Sequence, residues 1–496
     1  MTAAHMPSLA ARVRSLLTEA TRSYTGRPVQ RELARIGPHL NGPLRVAIAG
    51  RVKAGKSTLL NALVGAAVAP TDAGECTRVV TWYARGPARA TGFPKTGQPH
   101  PLGLTEHDGR LTIELGRLQA DALDRIEVQL PSQWLAHMTL VDTPGMGSLT
   151  EAAGRRTQDF LGDTGSVDAV LYLMRHLHSS DVDFLDTFHD ASTSNTTPIN
   201  AVGVLSRADE IGGGEPGALN HARRVAAEYR ADPRIRGLVH TVLPVAGLLA
   251  QTAATLTNAD FADLLALAKT GDSATAGLLL SAGRFTAPSR AVPVPPAARQ
   301  RLLAMLGLYG VRLAIDVIGN GAATRDELRT ALHQHSGLAD LRRLLLTQFA
   351  ERRDVLKAET ALRTIDIVTR IDPIPAAPRL RQAVERLRAG AHELAEIRLL
   401  TELRTGNVSA HPEQLAAMER LLGGHGTALT ARLGLAPNAT AEDTRVIITG
   451  LHAHWRRVAQ NPLTEPNLAR AAQVLQRTCE GLAASPQLRP PRPGPR

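Results

Sequence analysis

Cysteine, lysine and aromatic residues are all scarce in this chain of 496 residues. Its two cysteines, Cys76 and Cys479, lie far apart and have no neighbouring ligand cluster, which excludes a disulfide scaffold and a cysteine-based zinc site. Aromatic residues make up only 3% of the chain, so leucine, alanine and valine must fill its cores, which suits helices. With 43% hydrophobic residues, the chain has enough apolar side chains to build two or three modules.

Long apolar runs are also missing. No segment approaches the ~20 uninterrupted apolar residues that a membrane-spanning helix needs. The nearest run covers residues 302–318, and Arg312 and Asp316 interrupt it, so it predicts a buried core helix. The N-terminus shows no apolar segment of the secretory type. With the unpaired cysteines, these features predict a location in the reducing cytosol.

A glycine-bounded loop stands out among the motifs that are present. Residues 44–50 predict a strand, and residues 56–63 have the pattern of an amphipathic helix. The loop between them reads GxxxxGKS, whose main-chain N–H groups cradle phosphates. Lys56 would reach the β- and γ-phosphates, and the Ser57 hydroxyl would hold Mg²⁺. The residues predicted to bind nucleotide here are Gly50, Arg51, Val52, Lys53, Ala54, Gly55, Lys56, Ser57 and Thr58.

Two further segments complete the predicted phosphate site. Residues 142–145 read DTPG after an apolar run, so Asp142 would hold Mg²⁺ through water and the Gly145 N–H would sense the γ-phosphate. A switch segment must offer one hydroxyl to Mg²⁺ and move when the γ-phosphate leaves. Thr77 is the first candidate for that hydroxyl, because it directly precedes a β-rich run, and Thr71 is the alternative.

A later segment predicts which base is bound. Residues 201–205 have the composition of a buried strand, and they end in Ser206, Arg207, Ala208 and Asp209, which resembles the [NT]KxD guanine element. A carboxylate at Asp209 would accept from N1–H and the exocyclic amine of guanine, a donor pair that adenine lacks. Arg207 replaces the usual lysine, and its aliphatic stem can still pack on the base. Ala246 and Gly247 follow the last predicted strand and would supply a base-contacting main-chain turn.

The order and spacing of these elements resemble the dynamin superfamily. The sequence segments GRVKAGKSTLLNALVG and PTDAGECTRVVTWY are together similar to bacterial dynamin-like proteins of the actinobacterial isoniazid-inducible type. The resemblance implies an α/β P-loop GTPase head, with a mostly parallel sheet and flanking helices, on an all-α helical-bundle neck or stalk. It also implies hydrolysis of GTP to GDP with Mg²⁺, pairing of heads across the nucleotide, and action on membranes.

The resemblance makes Lys53 a further catalytic candidate. Met146 follows Gly145, where many small GTPases have a glutamine that orients water, and methionine cannot take that role. Guanylate-binding proteins and atlastins carry an internal arginine finger at the loop position that Lys53 occupies here. Lys53 is therefore expected to supply a cation to the phosphates, together with Lys56, Thr77 and Gly145 as the catalytic set. The alternative is a solvated loop lysine.

The composition of successive segments, taken with the resemblance, predicts five parts. The resemblance implies a neck helix at 1–40, a dynamin-type GTPase domain at 41–250 and a helical neck or stalk at 299–484. Composition predicts a helical connection with a Pro-rich linker at 251–298 and a disordered Pro/Arg tail at 485–496. Residues 85–110 are rich in Gly and Pro and predict a loop excursion. Apolar stripes near the two termini predict that the terminal helices pair. Chain breaks after Arg404 and at 423–426 predict the distal tip of the stalk, where Arg420 and Arg432 would meet lipid.

The formal charge of +11 leaves the partner open. Arginine richness can follow from genome base composition, or it can attract anionic lipid or nucleic acid. No RNA-binding module is recognisable and no DNA partner is expected, so an anionic membrane surface on the inner face of the cell membrane is preferred. Partners through the heads would be a second copy or a paralogous dynamin-like protein. Two alternatives remain: a ribosome- or RNA-associated GTPase, and a GTP-controlled scaffold with little hydrolysis.

Overall fold

A computed structural model of the chain describes residues 8–66, 68, 79–107, 110–116, 118–143, 167–190, 200–485 and 488. Several sequence predictions therefore fall outside the described residues, namely those for Thr71, Thr77, Gly145 and Met146 and for most of the C-terminal tail.

One ten-stranded sheet organises the first half of the chain, in the order β10-β9-β8-β1-β7-β2-β6-β3-β4-β5. Strands β10, β9, β8, β1 and β7 are parallel, and β2 joins β7 antiparallel. The central parallel strands β1, β7, β8 and β9 are buried along almost their whole length, as expected for a sheet covered on both faces. The strands are β1 (Leu44–Gly50), β2 (Val80–Arg85), β3 (Arg89–Pro94), β4 (His100–His107), β5 (Arg110–Glu114), β6 (Leu123–Leu130), β7 (Met138–Asp142), β8 (Ala169–Met174), β9 (Ala201–Ser206) and β10 (Val242–Val245).

The predicted loop excursion at residues 85–110 is wrong, because β3 and β4 lie there and β5 begins at its end. These strands extend the sheet beyond β6, which pairs with β2 on one side and with β3 on the other. Glycine misled the prediction. A Cβ on Gly92 would lie 3.2 Å from Leu123 and 3.3 Å from Leu102, so this glycine admits neighbouring side chains to a strand and does not mark a turn.

Helices cover the sheet and continue beyond it. Those packed with the sheet are Lys56–Val64, Ser179–Asp190, Ala218–Ala231, Pro233–Arg236, Gly247–Thr255, Asn258–Ala268, Asp272–Leu278, Ala282–Thr286, Pro296–Gly319, Arg325–Gln334 and Leu338–Leu344, with a π-helical turn at Leu345–Ala350. One core of the head includes Leu302, Val311 and Leu332, and the other includes Leu341 and Phe349. The helices that follow residue 250 thus share cores with the sheet, and the predicted domain boundary there stays a prediction.

The Pro296–Gly319 helix is long and apolar enough to cross a membrane by length and composition. Its residues Leu302, Leu306, Val311 and Ala314 are nevertheless fully buried in the core of the head. The prediction of a core helix is confirmed at these positions.

The remaining helices form two bundles. The first bundle consists of Leu9–Ser23, Gln30–Asn41, Arg353–Ile371 and Ala377–Gly390. The second bundle consists of His392–Arg404, Pro412–Leu421, Leu429–Leu433, Ala441–Gln460 and Pro466–Ala483. Leu16 and Leu17 lie in the core of the first, whereas Ala471 and Leu475 lie in the core of the second. The predicted pairing of the terminal helices is therefore wrong, because each apolar stripe has a different partner.

The predicted stalk tip is also wrong. Arg404 donates to His240 Nδ1 of the head at 2.6 Å, and both side chains are buried. Arg352 donates to the Gly423 carbonyl at 2.6 Å, and Arg432 pairs with Glu396 at 2.6 Å. These breaks lie against the head because the second bundle folds back. Glycine in a sequence indicates where a helix ends but not in which direction the chain then continues.

A buried polar junction joins the first bundle to the start of β1. His39 Nε2 lies 2.7 Å from Asp168 Oδ1, and both side chains are fully buried. Burial lowers the pKa of His39, so a neutral imidazole donates to an ionised Asp168. Lys357 donates to the carbonyls of His39 and Gly42, and burial lowers its pKa to about 8. The N-terminal pair of helices is thereby fixed to both the sheet and the Arg353–Ile371 helix.

Many of the basic residues that produce the net charge act inside the protein. Their side chains donate to main-chain carbonyls of other elements, which are otherwise left without donors at helix ends and in loops. Arg299, for example, is fully buried and donates to the carbonyls of Phe285, Ala287 and Val294, which folds the Pro-rich linker onto the head. The same role is seen for Arg312, Arg329, Arg342, Arg352 and Lys357.

Candidate nucleotide-binding site

The glycine-bounded loop follows β1 and opens the Lys56–Val64 helix. Gly50 has φ 144°, and a Cβ there would lie 2.5 Å from the Leu173 carbonyl of β8, so only glycine fits. Gly55, with φ 96°, turns the chain into the helix. Lys56 Nζ donates to the Gly50 and Arg51 carbonyls at 3.0 and 3.2 Å, which holds the ammonium over the loop. The loop therefore has the form that binds phosphates at a helix N-terminus.

Asp142 lies at the carboxyl end of β7, beside the loop. It pairs in register with Ile48 of β1, and the next residue, Thr143, donates its hydroxyl to the Ile48 carbonyl at 3.0 Å. Burial raises the pKa of Asp142 to about 6, and the nearby Lys56 opposes the shift. Asp142 Oδ1 is buried without a hydrogen-bond partner among the described residues. Carboxylate and hydroxyl oxygens are ligands that Mg²⁺ prefers, so the orphaned oxygen of Asp142 and the Ser57 hydroxyl fit this ion in their chemistry.

The guanine element lies at the end of β9, on the other side of the loop. Arg207 takes a left-handed conformation, with φ 53°, and its Nη2 donates to the Lys53 carbonyl at 3.4 Å. Arg207 also pairs with Glu210 at 2.7 Å, and Glu210 pairs with Arg175 at 2.6 Å. This contact with the phosphate loop ties the base side of the site to the phosphate side.

Ser206, Asp209 and the last strand form the remaining wall. Ser206 donates its hydroxyl to the Met174 carbonyl at 3.2 Å, which links β9 to β8. Asp209 is only 4% exposed, and burial raises its pKa to about 6. A Cβ on Gly247 would lie 3.2 Å from Thr58 Cγ2, so this turn packs directly on the phosphate-loop helix. The Ala246 N–H donates to the Ser336 carbonyl at 2.9 Å and is thereby already used.

One cleft collects seven of the predicted binding residues, whereas its lining does not include Gly50, Arg51, Val52, Lys53, Lys56, Ser57 and Asp142. It contains about 530 Å³ of empty space and runs from the phosphate loop to the guanine element. Its lining residues are Ala54, Gly55, Thr58, Leu59, Leu173, Val204, Ser206, Arg207, Asp209, Glu210, Val245, Gly247 and Leu248. The predicted residues Ala54, Gly55, Thr58, Ser206, Arg207, Asp209 and Gly247 thus meet at one place, whereas Ala246 is not part of the lining.

The sequence prediction missed three residues at this site. Glu210 lies three positions after Arg207, a spacing that suggests an ion pair, and it could have been found from the sequence. Arg175 follows β8 and Leu248 follows the last strand, and no pattern marks either of them.

Lys53 has an exposed side chain that makes no hydrogen bond or ion pair within the described part of the chain.

Comparisons with known proteins identify relatives of this chain. Residues 45–202 match a family model described as 50S ribosome-binding GTPase. The chain is 37% identical over 484 residues to isoniazid-induced protein IniC of Mycobacterium tuberculosis, covering 95% of this chain and 98% of that protein. It is 32% identical over 146 residues to a bacterial dynamin-like protein of Nostoc punctiforme, covering 27% of this chain and 20% of that protein. A solved structure of an oligomerised bacterial dynamin pair, described as sensing and tethering membranes, matches at 15% identity and a TM-score of 0.31, covering 97% of this chain and 80% of that chain.

Proposed function

The chain belongs to the bacterial dynamin-like GTPases, and from this premise we propose that it binds GTP with Mg²⁺ and hydrolyses it to GDP and phosphate. We further propose that nucleotide-dependent pairing of heads uses this cycle to remodel, tether or repair a membrane. The observation that carries the nucleotide part is the single cleft that joins the phosphate loop to Asp209. The membrane part is supported by family membership and by the charge of +11.

Base recognition is assigned to Asp209 and Arg207. The ionised carboxylate of Asp209 would accept from guanine N1–H and the exocyclic amine. The stem of Arg207 would lie on the base, because its guanidinium is held at the Lys53 carbonyl and at Glu210. Arg207 can replace the usual lysine because it offers both a long apolar stem and a donor for the phosphate loop.

Phosphate and metal binding are assigned to the loop, Ser57 and Asp142. Mg²⁺ bound to GTP would neutralise charge on the β- and γ-phosphates, with Ser57 and Asp142 as its protein contacts. Thr77 and Gly145 are proposed for the switch, although both lie outside the described residues. Lys56 would leave the loop carbonyls for the phosphates, and Lys53 would add a second cation when two heads pair.

The membrane contact is assigned to the end of the first bundle that lies away from the head. The helix rise of about 1.5 Å per residue puts Ile371 about 21 Å from Lys357 at the head junction. Ile371 is 73% exposed there. Arginines outnumber carboxylates around it: Arg22, Arg27, Arg31, Arg370, Arg379 and Arg381, against Glu19, Asp366 and Asp372. An apolar side chain within a basic cluster suits an anionic lipid surface on the cytoplasmic face.

Exchange of the base tests the nucleotide site. Asp209→Asn should lose GTP affinity by about 2–3 kcal/mol, because a buried charge-assisted pair is removed, and should gain affinity for xanthosine triphosphate. The measurement is nucleotide titration followed by steady-state turnover of both nucleotides. Unchanged GTP affinity would remove Asp209 from the site. Tight GTP binding with negligible turnover, with or without vesicles, would support the scaffold alternative.

Vesicle co-sedimentation tests the membrane part. Arg22→Glu combined with Arg381→Glu should weaken binding to phosphatidylglycerol vesicles by about 2 kcal/mol or more, because each basic residue near such a surface contributes about 1 kcal/mol. Ile371→Asp should act in the same direction. Leu463→Asp is the matched control, since Leu463 is 92% exposed but lies in the second bundle. Loss of binding in the control alone would overturn this assignment. Retention of ribosomal RNA through purification, without vesicle binding, would favour the ribosome-associated alternative.

A further inference from the structure

A break in the Pro296–Gly319 helix lies against the predicted guanine-reading residue. Gly307 has φ 64° and ψ 176°, a backbone region that is essentially restricted to glycine, and the helix is interrupted there. The Met305 carbonyl, two residues before the break, accepts from the Thr252 hydroxyl at 2.6 Å. Thr252 belongs to the Gly247–Thr255 helix, which begins at the nucleotide cleft.

The break lies beside Asp209 in the fold. A Cβ on Gly307 would lie 3.5 Å from Asp209 Oδ2 and 4.0 Å from Leu248 Cδ1, and both of these residues line the cleft. Tyr309, two residues further on, packs beside Gly214, which ends the turn that follows Asp209. Its pKa is raised by burial and by the charge of Asp209. The carboxylate is thus bounded by this segment on the side away from the base.

Hydrogen bonds within the described residues do little to orient Asp209. Its main-chain N–H is the hydrogen-bond donor to its carboxylate, and the charged neighbours Arg207 and Glu210 pair with each other. A buried carboxylate that must meet two donors on a base needs a fixed rotamer. The segment at Gly307 lies next to Asp209 Oδ2 and can limit the rotamers that this carboxylate takes.

We infer that Gly307 is a positioning residue for base recognition, and that the broken helix forms the back wall of the guanine pocket. This inference rests on the proposed role of Asp209. A side chain at residue 307 cannot readily keep φ 64° with ψ 176°, so it would shift the main chain of this wall and, with it, the carboxylate beside it. Discrimination between bases would then fall before nucleotide binding as a whole is lost, because the phosphate loop lies elsewhere.

Inosine triphosphate provides the readout, because it keeps the N1–H of guanine and lacks its exocyclic amine. The wild-type protein should prefer GTP to inosine triphosphate by about tenfold or more, the value of one charge-assisted hydrogen bond. Gly307→Ala should reduce that ratio to about one to threefold in nucleotide titrations, while affinity for inosine triphosphate changes much less. A residue with a merely structural role would lower the melting temperature and leave the ratio unchanged.

Two further variants keep the test decisive. Gly319→Ala is the matched control: it adds the same methyl group at the far end of the same helix, where nothing lies within 4 Å of a Cβ, so its ratio should stay at the wild-type value. Thr252→Val removes the donor to Met305 without adding volume, and it should lower the ratio two- to fivefold even if Gly307→Ala does not fold. Wild-type ratios in both Gly307→Ala and Thr252→Val would overturn the inference. If Asp209→Asn also leaves base preference unchanged, the proposed site itself has failed.

Discussion

Replacement of Lys53 by both glycine and alanine separates the backbone of the phosphate loop from its charge. Lys53 has φ 62°, which L-residues other than glycine adopt at a cost of about 1–2 kcal/mol. Its carbonyl receives the donation from Arg207, so this conformation also holds the base side of the site. Its ammonium, in contrast, makes no hydrogen bond or ion pair within the described residues. Strain at a functional loop with an unengaged cation suggests that the side chain acts when heads pair.

The two variants should differ in stability and agree in catalysis. Glycine relieves the left-handed strain but costs about 0.5–1 kcal/mol relative to alanine through the entropy of the unfolded chain. Lys53→Gly should therefore be about 0.5–1 kcal/mol more stable to unfolding than Lys53→Ala. Both should lower kcat at least tenfold with GTP affinity nearly kept. Cationic fingers contribute about 10³–10⁵ in rate, and a lysine, which lacks the bidentate fork, contributes less.

The assay is GTP turnover as a function of protein concentration, beside denaturant unfolding of the nucleotide-free protein. The defect should appear at high concentration, where heads pair, and Lys53→Arg should restore turnover. Replacement of sodium by potassium should change wild-type turnover little, since a fixed ammonium would take the place of a monovalent cation. Wild-type kcat in Lys53→Gly, or strong potassium dependence of the wild type, would refute the reasoning. A large difference in kcat between the glycine and alanine variants would assign the effect to backbone conformation instead.

Three other predictions follow from the site and the fold. Burial raises the pKa of Asp142 to about 6, so protons should compete with Mg²⁺ below that pH. The affinity of the GDP complex for Mg²⁺, measured by titration, should fall by up to about tenfold per pH unit below 6 and stay level above 7. A flat profile would exclude Asp142 as a metal contact. Arg207→Lys should keep GTP affinity within about threefold, because lysine also offers an apolar stem and a donor for the Lys53 carbonyl. Arg207→Ala should lose about 1–3 kcal/mol of GTP binding in the same nucleotide titration. Equal losses in the two variants would show that the stem and the donor of Arg207 do not contribute to GTP binding. Arg299→Met should lower the free energy of unfolding, measured by denaturation, by about 3 kcal/mol or more, because three buried carbonyls lose their donor. The control Arg301→Met removes a half-exposed ion pair with Asp260 and should lower the same free energy by less than about 1 kcal/mol. Equal losses in the two variants would contradict the carbonyl-binding role of Arg299.

Part of the positive charge of the chain lies on arginines that bind main-chain carbonyls within the fold. Arginine suits main-chain carbonyls at helix ends because its guanidinium offers five donors in a fixed fork. Arg342 uses it on the Ala62 and Leu63 carbonyls of the phosphate-loop helix, and Arg352 on the Leu422 and Gly423 carbonyls. Net charge alone therefore overstates the basic surface that is free for a membrane, and the local excess around Ile371 is a more specific indication than the total.

The sequence by itself determined the head and most of its cleft. A phosphate loop needs glycines at fixed positions, a lysine and a hydroxyl within one strand–loop–helix segment, so local order along the chain specifies Gly50, Lys56 and Ser57. Carboxyl ends of neighbouring parallel strands meet at one edge of a sheet, which is why Asp142 and Asp209 could be assigned from the strands that precede them. The α/β head followed by helices, and membership of the dynamin-like GTPases, were likewise predicted from these motifs and from the resemblance they carry.

Only the tertiary structure decided how the helices of the second half of the chain pack. Apolar spacing predicts that a helix has a buried face but not which partner covers it, so the pairing of the terminal helices and the position of Arg404 could not be inferred. Long-range contacts have no sequence signature: the donation from Lys357 to the Gly42 carbonyl and the approach of Gly307 to Asp209 join segments from different parts of the chain. Glycine is the clearest case, because its missing Cβ serves a loop at Gly55, strand packing at Gly92 and a helix break beside Asp209 at Gly307, and only the neighbours of each one distinguish these roles.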